Sequence, residues 1–118
     1  MSASPIVHFE IMGAEDGPLK DFYSNIFGWN PQPYEGVDNY HVVSSDETGL
    51  GGAVGKGNEH MPNYLTVYLQ VPDIDAHLEK IGGAGGSTVL PRTEIPDTVT
   101  FALFSDPAGN MVGLVEGE

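Results

Sequence analysis

The chain of 118 residues contains no cysteine, so disulfides, thiolate nucleophiles and cysteine-ligated metals are all excluded. Basic residues are scarce: Lys20, Lys56, Lys80 and Arg92 stand against 17 acidic residues, for a net charge of −13. A field of that sign repels phosphate backbones and anionic lipid, so neither nucleic acid nor a membrane surface is expected as a partner. The acidic residues are spread along the chain, as in a solvated acidic surface or a protein adapted to a high-salt cytoplasm. No hydrophobic run approaches the roughly 18 consecutive apolar residues of a membrane span. The opening Met-Ser-Ala-Ser-Pro lacks the basic start of a signal peptide, and a cytoplasmic location is the expectation.

What is present fits one domain over residues 1–118, with 40% hydrophobic residues, a globular composition. Residues 5–13 alternate as a strand, with Val7, Phe9 and Ile11 on one face and His8, Glu10 and Met12 on the other. Pro18 opens a segment in which Leu19, Phe22, Tyr23 and Ile26 have the three-and-four spacing of an amphipathic helix, stopped by Gly28. Short strands are expected near 29–35, 39–45 and 50–55, followed by a glycine-rich linker to Pro62.

The same order then returns. Residues 64–71 alternate, with Leu65, Val67, Leu69 and Val71 on one face and Thr66, Tyr68 and Gln70 on the other. Asp73 opens a helix carrying Ile74, Leu78 and Ile81, and strands follow near 88–95, 99–105 and 111–116. Laid on each other, the halves place His8 over Thr66 and Ala53 over Gly113, the mark of an internal repeat. Module one spans about 5–57 and module two about 63–117; each alone leaves a sheet face and a helix stripe uncovered.

Two phrases add specificity: Phe22-Tyr-Ser-Asn-Ile-Phe-Gly-Trp29 and Asp106-Pro-Ala-Gly-Asn110. Together with Val7-His-Phe-Glu-Ile11 they resemble the vicinal oxygen chelate superfamily, the glyoxalase/bleomycin-resistance/dioxygenase-like proteins. The resemblance covers nearly the whole chain. It implies an α+β fold of two βαβββ modules, with curved mixed sheets forming a cleft and helices on the convex side. The Asp106 phrase also has its own structural cause, since Asp-Pro with Gly109 two residues on makes a tight reversal.

Metal-dependent members of that superfamily hold a divalent ion at four equivalent strand positions, usually His or Glu, so that a Lewis acid can polarise vicinal substrate oxygens. Carried over, these positions fall on His8, near Ala53, on Thr66 and on Gly113. Only His8 is a ligand type, so no metal or other cofactor is expected, and a divalent ion, if any, would sit at His8. His41, His60 and His77 fall outside the pattern.

The residues and the resemblance together leave three functions open, one of them an accessory role in which the concave surface packs against a partner chain. The first is a binding protein whose cleft buries a small organic molecule, with His8, Glu10, Thr66, Tyr68 and Gln70 as its ligand-binding groups. The alternative is a lyase, isomerase or dioxygenase-like enzyme in which His8 and Glu10 form a catalytic acid–base pair, with or without a divalent metal. Tyr40, Phe101 and Leu103 are candidates for apolar wall, and Trp29 reads as packing. The resemblance also implies a homodimer. The glycine-rich stretch 49–57 lacks a following helix and a phosphate-binding fingerprint, and Ser44, Ser45 and Ser105 lack the context of a nucleophile.

Overall fold

In the computed structural model, which describes residues 3–117, the chain order is β1 (Ile6–Gly13), α1 (Asp16–Phe27), β2 (Gln32–Pro33), β3 (Tyr40–Val43), α2 (Ser45–Thr48), β4 (Gly52–Lys56), β5 (Tyr64–Val71), α3 (Ile74–Gly83), β6 (Ser87–Ile95), β7 (Val99–Ser105) and β8 (Met111–Glu116). This is the expected α+β class with the βαβββ order twice over. The residues form two compact units, one of His8–Thr66 and one joining the residues up to Val7 with those from Val67 onward. No helix among the described residues is long and apolar enough to cross a membrane.

In the His8–Thr66 unit the strand order is β2-β3-β4-β1, with β1 parallel to β4 and the other pairs antiparallel. The alternation of β1 is realised as expected. Leu19 of α1 lies against Gly13, and the Phe9 ring meets Gly52 and Trp29 on that same side. Glu10 and Met12 take the opposite face and are buried. Trp29 is packing, stacked on Tyr23 with ring centres 5.0 Å apart.

Helix α1 is less covered than its spacing suggests. None of its residues is fully buried, and Phe22, Ile26 and Phe27 remain more than half exposed. The stretch near 29–35 forms only the two-residue β2, because Pro31 and Pro33 deny the ladder backbone donors. Ser45, read as the end of a strand, instead opens the short α2, which takes up the expected turn before β4. Ser44 caps it by accepting from the Asp46 amide at 2.9 Å.

The second unit repeats the pattern as β5-β8-β7-β6, with β5 parallel to β8. Its core is Val71, Ile74, Ala102, Phe104 and Leu114, against which Leu69, Leu78, Ile81 and Val112 pack. The apolar alternation of β5 runs past this core, since Leu65 is 72% exposed. Asp73 caps α3 through the Ala76 amide, and Glu116 accepts from the Ile74 amide while pairing with Arg92 at 2.8 Å. The Asp106 turn is structural. Its carboxylate accepts from the amides of Ala108 and Asn110 and from the Asn110 side chain, all at 2.9 Å. These bonds hold the Asp106 carboxyl below its usual range, the Asn110 side chain contributing most. Gly109 takes φ 93°, the left-handed conformation that the turn needs there.

Candidate functional site

The strand register brings chemistry together on the face of β1 turned away from α1. Glu10 stands directly beside Ala53 of β4, and Tyr40 of β3 pairs across from Gly55, two positions further along the same face. With only a methyl and a hydrogen at 53 and 55, the Tyr40 side chain has room to reach back over β4 to β1. Its hydroxyl lies 2.5 Å from Glu10 Oε2 and 2.8 Å from His8 Nε2. Tyr64, on β5, donates to the other Glu10 oxygen at 3.3 Å. The result is a continuous chain, His8–Tyr40–Glu10–Tyr64, around a carboxylate only 6% exposed.

Burial sets the electrostatics. Removal from water pushes the His8 imidazole below its ordinary pKa, and the nearby Glu10 charge opposes that shift in part. The Tyr64 phenol is pushed up, first by burial and then by the Glu10 charge and the hydrogen bond to it, so it stays protonated as a donor. The aromatic wall extends outward through Tyr34, whose ring centre is 6.2 Å from that of Tyr40.

Of the five residues expected at the site, the structure joins His8 and Glu10 in this chain. Thr66 is buried on β5, two residues on from Tyr64. Tyr68 and Gln70 belong to the second unit, where their side chains lie over Gly113 and Gly117. Strand pairing puts Phe101 across from Val115 and Leu103 across from Gly113, on the side of β8 that Tyr68 covers. Tyr40, expected as apolar wall, is the polar hub, and Tyr64 carries no signal in the sequence beyond its strand position. The alternation 40, 42 against 41, 43 places Tyr40 on one face of β3. Only the pairing with β4 shows that this face is the one carrying His8.

The remaining histidines lie elsewhere. His41 Nδ1 is 3.3 Å from Asp16 Oδ2 but off line, a close contact without a hydrogen bond. His77 sits on α3 with Nδ1 3.0 Å from the Asp73 carbonyl. Two open hollows of about 490 and 480 Å³ line the β6–β7 turn (Glu94, Asp97, Thr98) and the start of α1 (Pro18, Leu19, Phe22), and neither includes His8 or Glu10.

The donor set does not fit a chelated divalent ion. His8 Nε2 is engaged by Tyr40, Ala53 is fully buried beside Glu10, and Gly113 lies under the Tyr68 ring. Among the described residues no three His, Asp or Glu side chains come together in a metal-binding group.

The family model of the "Glyoxalase/Bleomycin resistance protein/Dioxygenase superfamily" matches residues 6–114. CFP32 of Mycobacterium tuberculosis, provisionally named a glyoxylase, is 29% identical over 111 residues, covering 89% of this chain and 42% of that protein. The anthracycline biosynthesis protein DnrV of Streptomyces peucetius is 28% identical over 117 residues, covering 86% of this chain and 42% of that protein. The chain thus spans less than half the length of these curated relatives. Among solved structures, methylmalonyl-CoA epimerase from Mycobacterium tuberculosis shares the fold. Its TM-score is 0.69 at 16% identity, covering 100% of this chain and 93% of that one.

Proposed function

Because the chain belongs to the glyoxalase/bleomycin resistance protein/dioxygenase superfamily, we propose that it binds a small organic molecule against the face carrying His8, Glu10, Tyr40 and Tyr64, without a chelated divalent ion. The observation that carries this reading is the hydrogen-bonded chain itself. Its imidazole and carboxylate are committed to phenols, and three of the four family ligand positions hold Ala53, Thr66 and Gly113. Polar groups in a partly desolvated aromatic setting recognise a ligand by hydrogen bonds and stacking. Thr66 stays in the proposal as a further ligand contact on this face, and Tyr68 and Gln70 are proposed as ligand contacts of the second unit.

A thermal-shift screen over a small-molecule panel tests it: a binding molecule raises Tm with concentration, and His8→Ala removes the shift. Metal analysis of protein purified without chelator is the second arm. Stoichiometric divalent ion that is lost in His8→Ala would sink the metal-free reading.

A second reading is favoured by one observation, the burial that keeps His8 neutral beside a carboxylate. A neutral imidazole in reach of a bound molecule can take up and return a proton, as a lyase or isomerase requires. Turnover that survives both His8→Gln and Glu10→Gln would refute that role.

We also infer a cytoplasmic homodimer. The exposed Phe22, Ile26 and Phe27 of α1 support association, and sedimentation at micromolar concentration checks it.

A further inference from the structure

Helix α1 keeps an apolar row on its outer side. Pro18, Phe22 and Ile26 follow one another at four-residue steps and all three are exposed, Phe22 by 52% and Ile26 by 63%. The neighbouring row of Leu19, Tyr23 and Phe27 is the one that reaches Gly13 and Trp29. At a rise of about 1.5 Å per residue the outer row is about 12 Å long. Its start borders the open hollow of about 480 Å³ whose lining includes Ala14, Glu15, Pro18, Leu19 and Phe22, and its end is the exposed Ile26. A row spaced by four is a ridge, and such ridges interlock with one another at about −50°, the commonest helix crossing. A two-fold axis at Phe22, midway between Pro18 and Ile26, sets Phe22 against Phe22. It also carries Ile26 of each copy to the hollow beside Pro18 of the other.

Charge favours a copy over a foreign partner at this row. The row carries no charge, and Asp21 at its flank has Lys20 3.4 Å away. A surface of net charge −13 attracts basic partners, but carboxylates would hold those, not an uncharged ridge. Two copies repel each other wherever their carboxylates meet, so an uncharged strip is where they can approach. The outer strands are a poor route for a copy: β2 contains Pro33, and β6 contains Pro91 and two register shifts, all of which interrupt pairing with a further strand.

We propose that a second copy of this chain docks on α1, with the Pro18–Phe22–Ile26 rows of the two copies crossed about a two-fold axis at Phe22. This interface rests on the homodimer reading above and specifies its contact. A fully buried aromatic ring removes about 150–250 Å² from water, so Phe22, Ile26 and Phe27, each a little more than half exposed, offer on the order of 300 Å² per copy. The hollow and a polar rim add to that, and the contact stays below the roughly 800 Å² per partner of a standard interface. The dimer is therefore a weak one, formed at micromolar to millimolar protein.

Sedimentation equilibrium of the full chain from micromolar to millimolar concentration, in dilute buffer and in molar KCl, reads the association. The dimer should tighten with salt as the like charges of the copies are screened. Phe22→Glu sets two carboxylates at the axis and should weaken it by more than about tenfold. The absence of cysteine permits a geometric check. An equal mixture of Pro18→Cys and Ile26→Cys chains should cross-link on mild oxidation far more than either chain alone, since only the mixed pair brings two sulfurs within bonding reach. Should Phe22→Glu not fold, the cysteine mixture decides. A mixture that cross-links no more than the single chains, or a dimer unchanged in Phe22→Glu, overturns this interface and leaves a homodimer through another surface standing. Protein that stays monomeric at millimolar concentration in molar KCl overturns the interface and the homodimer together. Association that weakens as salt rises also overturns the interface, because ionic contacts and not an apolar row would then hold the copies.

Discussion

Gly113 is one of the positions to which the family resemblance would carry a metal ligand, and the Tyr68 ring lies over it. A Cβ built at 113 would lie 2.3, 2.4 and 2.8 Å from three carbons of that ring. Ordinary carbon contacts are about 3.5–4.0 Å, so Gly113→Ala requires a displacement of more than about 1 Å. Tyr68 is 5% exposed, and Leu103, the cross-strand partner of Gly113, is 8% exposed, so moving the ring disturbs buried neighbours. Overpacking of this kind costs about 1–3 kcal/mol, and three short contacts on a rigid ring argue for the upper end. Replacing a strand glycine by alanine returns about 0.5–1 kcal/mol of backbone entropy, leaving a net loss of about 2 kcal/mol. With an unfolding entropy of about 2.1 cal/mol/K per residue over 118 residues, the fall in Tm is about 8 °C. Differential scanning calorimetry measures it directly. The paired variant is Tyr68→Ala, in whose background the new methyl meets open space and Gly113→Ala should be neutral or mildly stabilising. A Gly113→Ala protein as stable as wild type, or an equal loss in both backgrounds, refutes the close approach.

Three further outcomes follow from the same geometry. Tyr40→Phe removes two hydrogen bonds and strips a donor from a buried carboxylate, so it should cost about 1–3 kcal/mol in urea unfolding, while Tyr64→Phe, losing one longer bond, should cost less; equal losses would contradict the geometry. Arg92, then the Ile74 amide, hold the Glu116 carboxyl at about 2, below its ordinary 4.5, so the folded state binds fewer protons than the unfolded one between these values. That stability is present above about pH 4.5 and lost as pH falls toward 2, and Arg92→Ala should flatten the decline in acid unfolding curves. Burial lowers the His8 pKa from 6.5, so the unfolded state takes up protons first and stability falls as pH drops below that value. His8→Gln should shallow the dependence of Tm on pH just below 6.5, and an unchanged slope would assign it to other groups.

Much of the scaffold was readable because it rests on local periodicity. The strands β5, β7 and β8 lie where alternation put them, and α1 and α3 where three-and-four spacing met Pro18, Asp73 and the glycines that follow. Two elements escaped that logic. Strand β2 shrank because flanking prolines remove donors, and α2 formed from four polar residues whose helix depends on one capping serine rather than on any apolar stripe. The exposure of Phe22 and Ile26 was likewise hidden, since spacing identifies an apolar stripe but not whether anything covers it.

For the site, the sequence by itself determined the residue types and the face on which His8 and Glu10 stand, because side-chain direction in a strand is set by a period of two. It also showed that three of the four positions to which the resemblance carries a metal ligand hold Ala53, Thr66 and Gly113, because residue identity needs no coordinates. Tertiary structure alone decided which groups meet across strands. Register set Tyr40 beside two small residues and so turned an anticipated wall residue into the bridge between imidazole and carboxylate. It also placed Tyr64, 54 residues from Glu10, on the same carboxylate. Hydrogen bonds between distant segments depend on strand pairing to fractions of an ångström, and no local pattern encodes that.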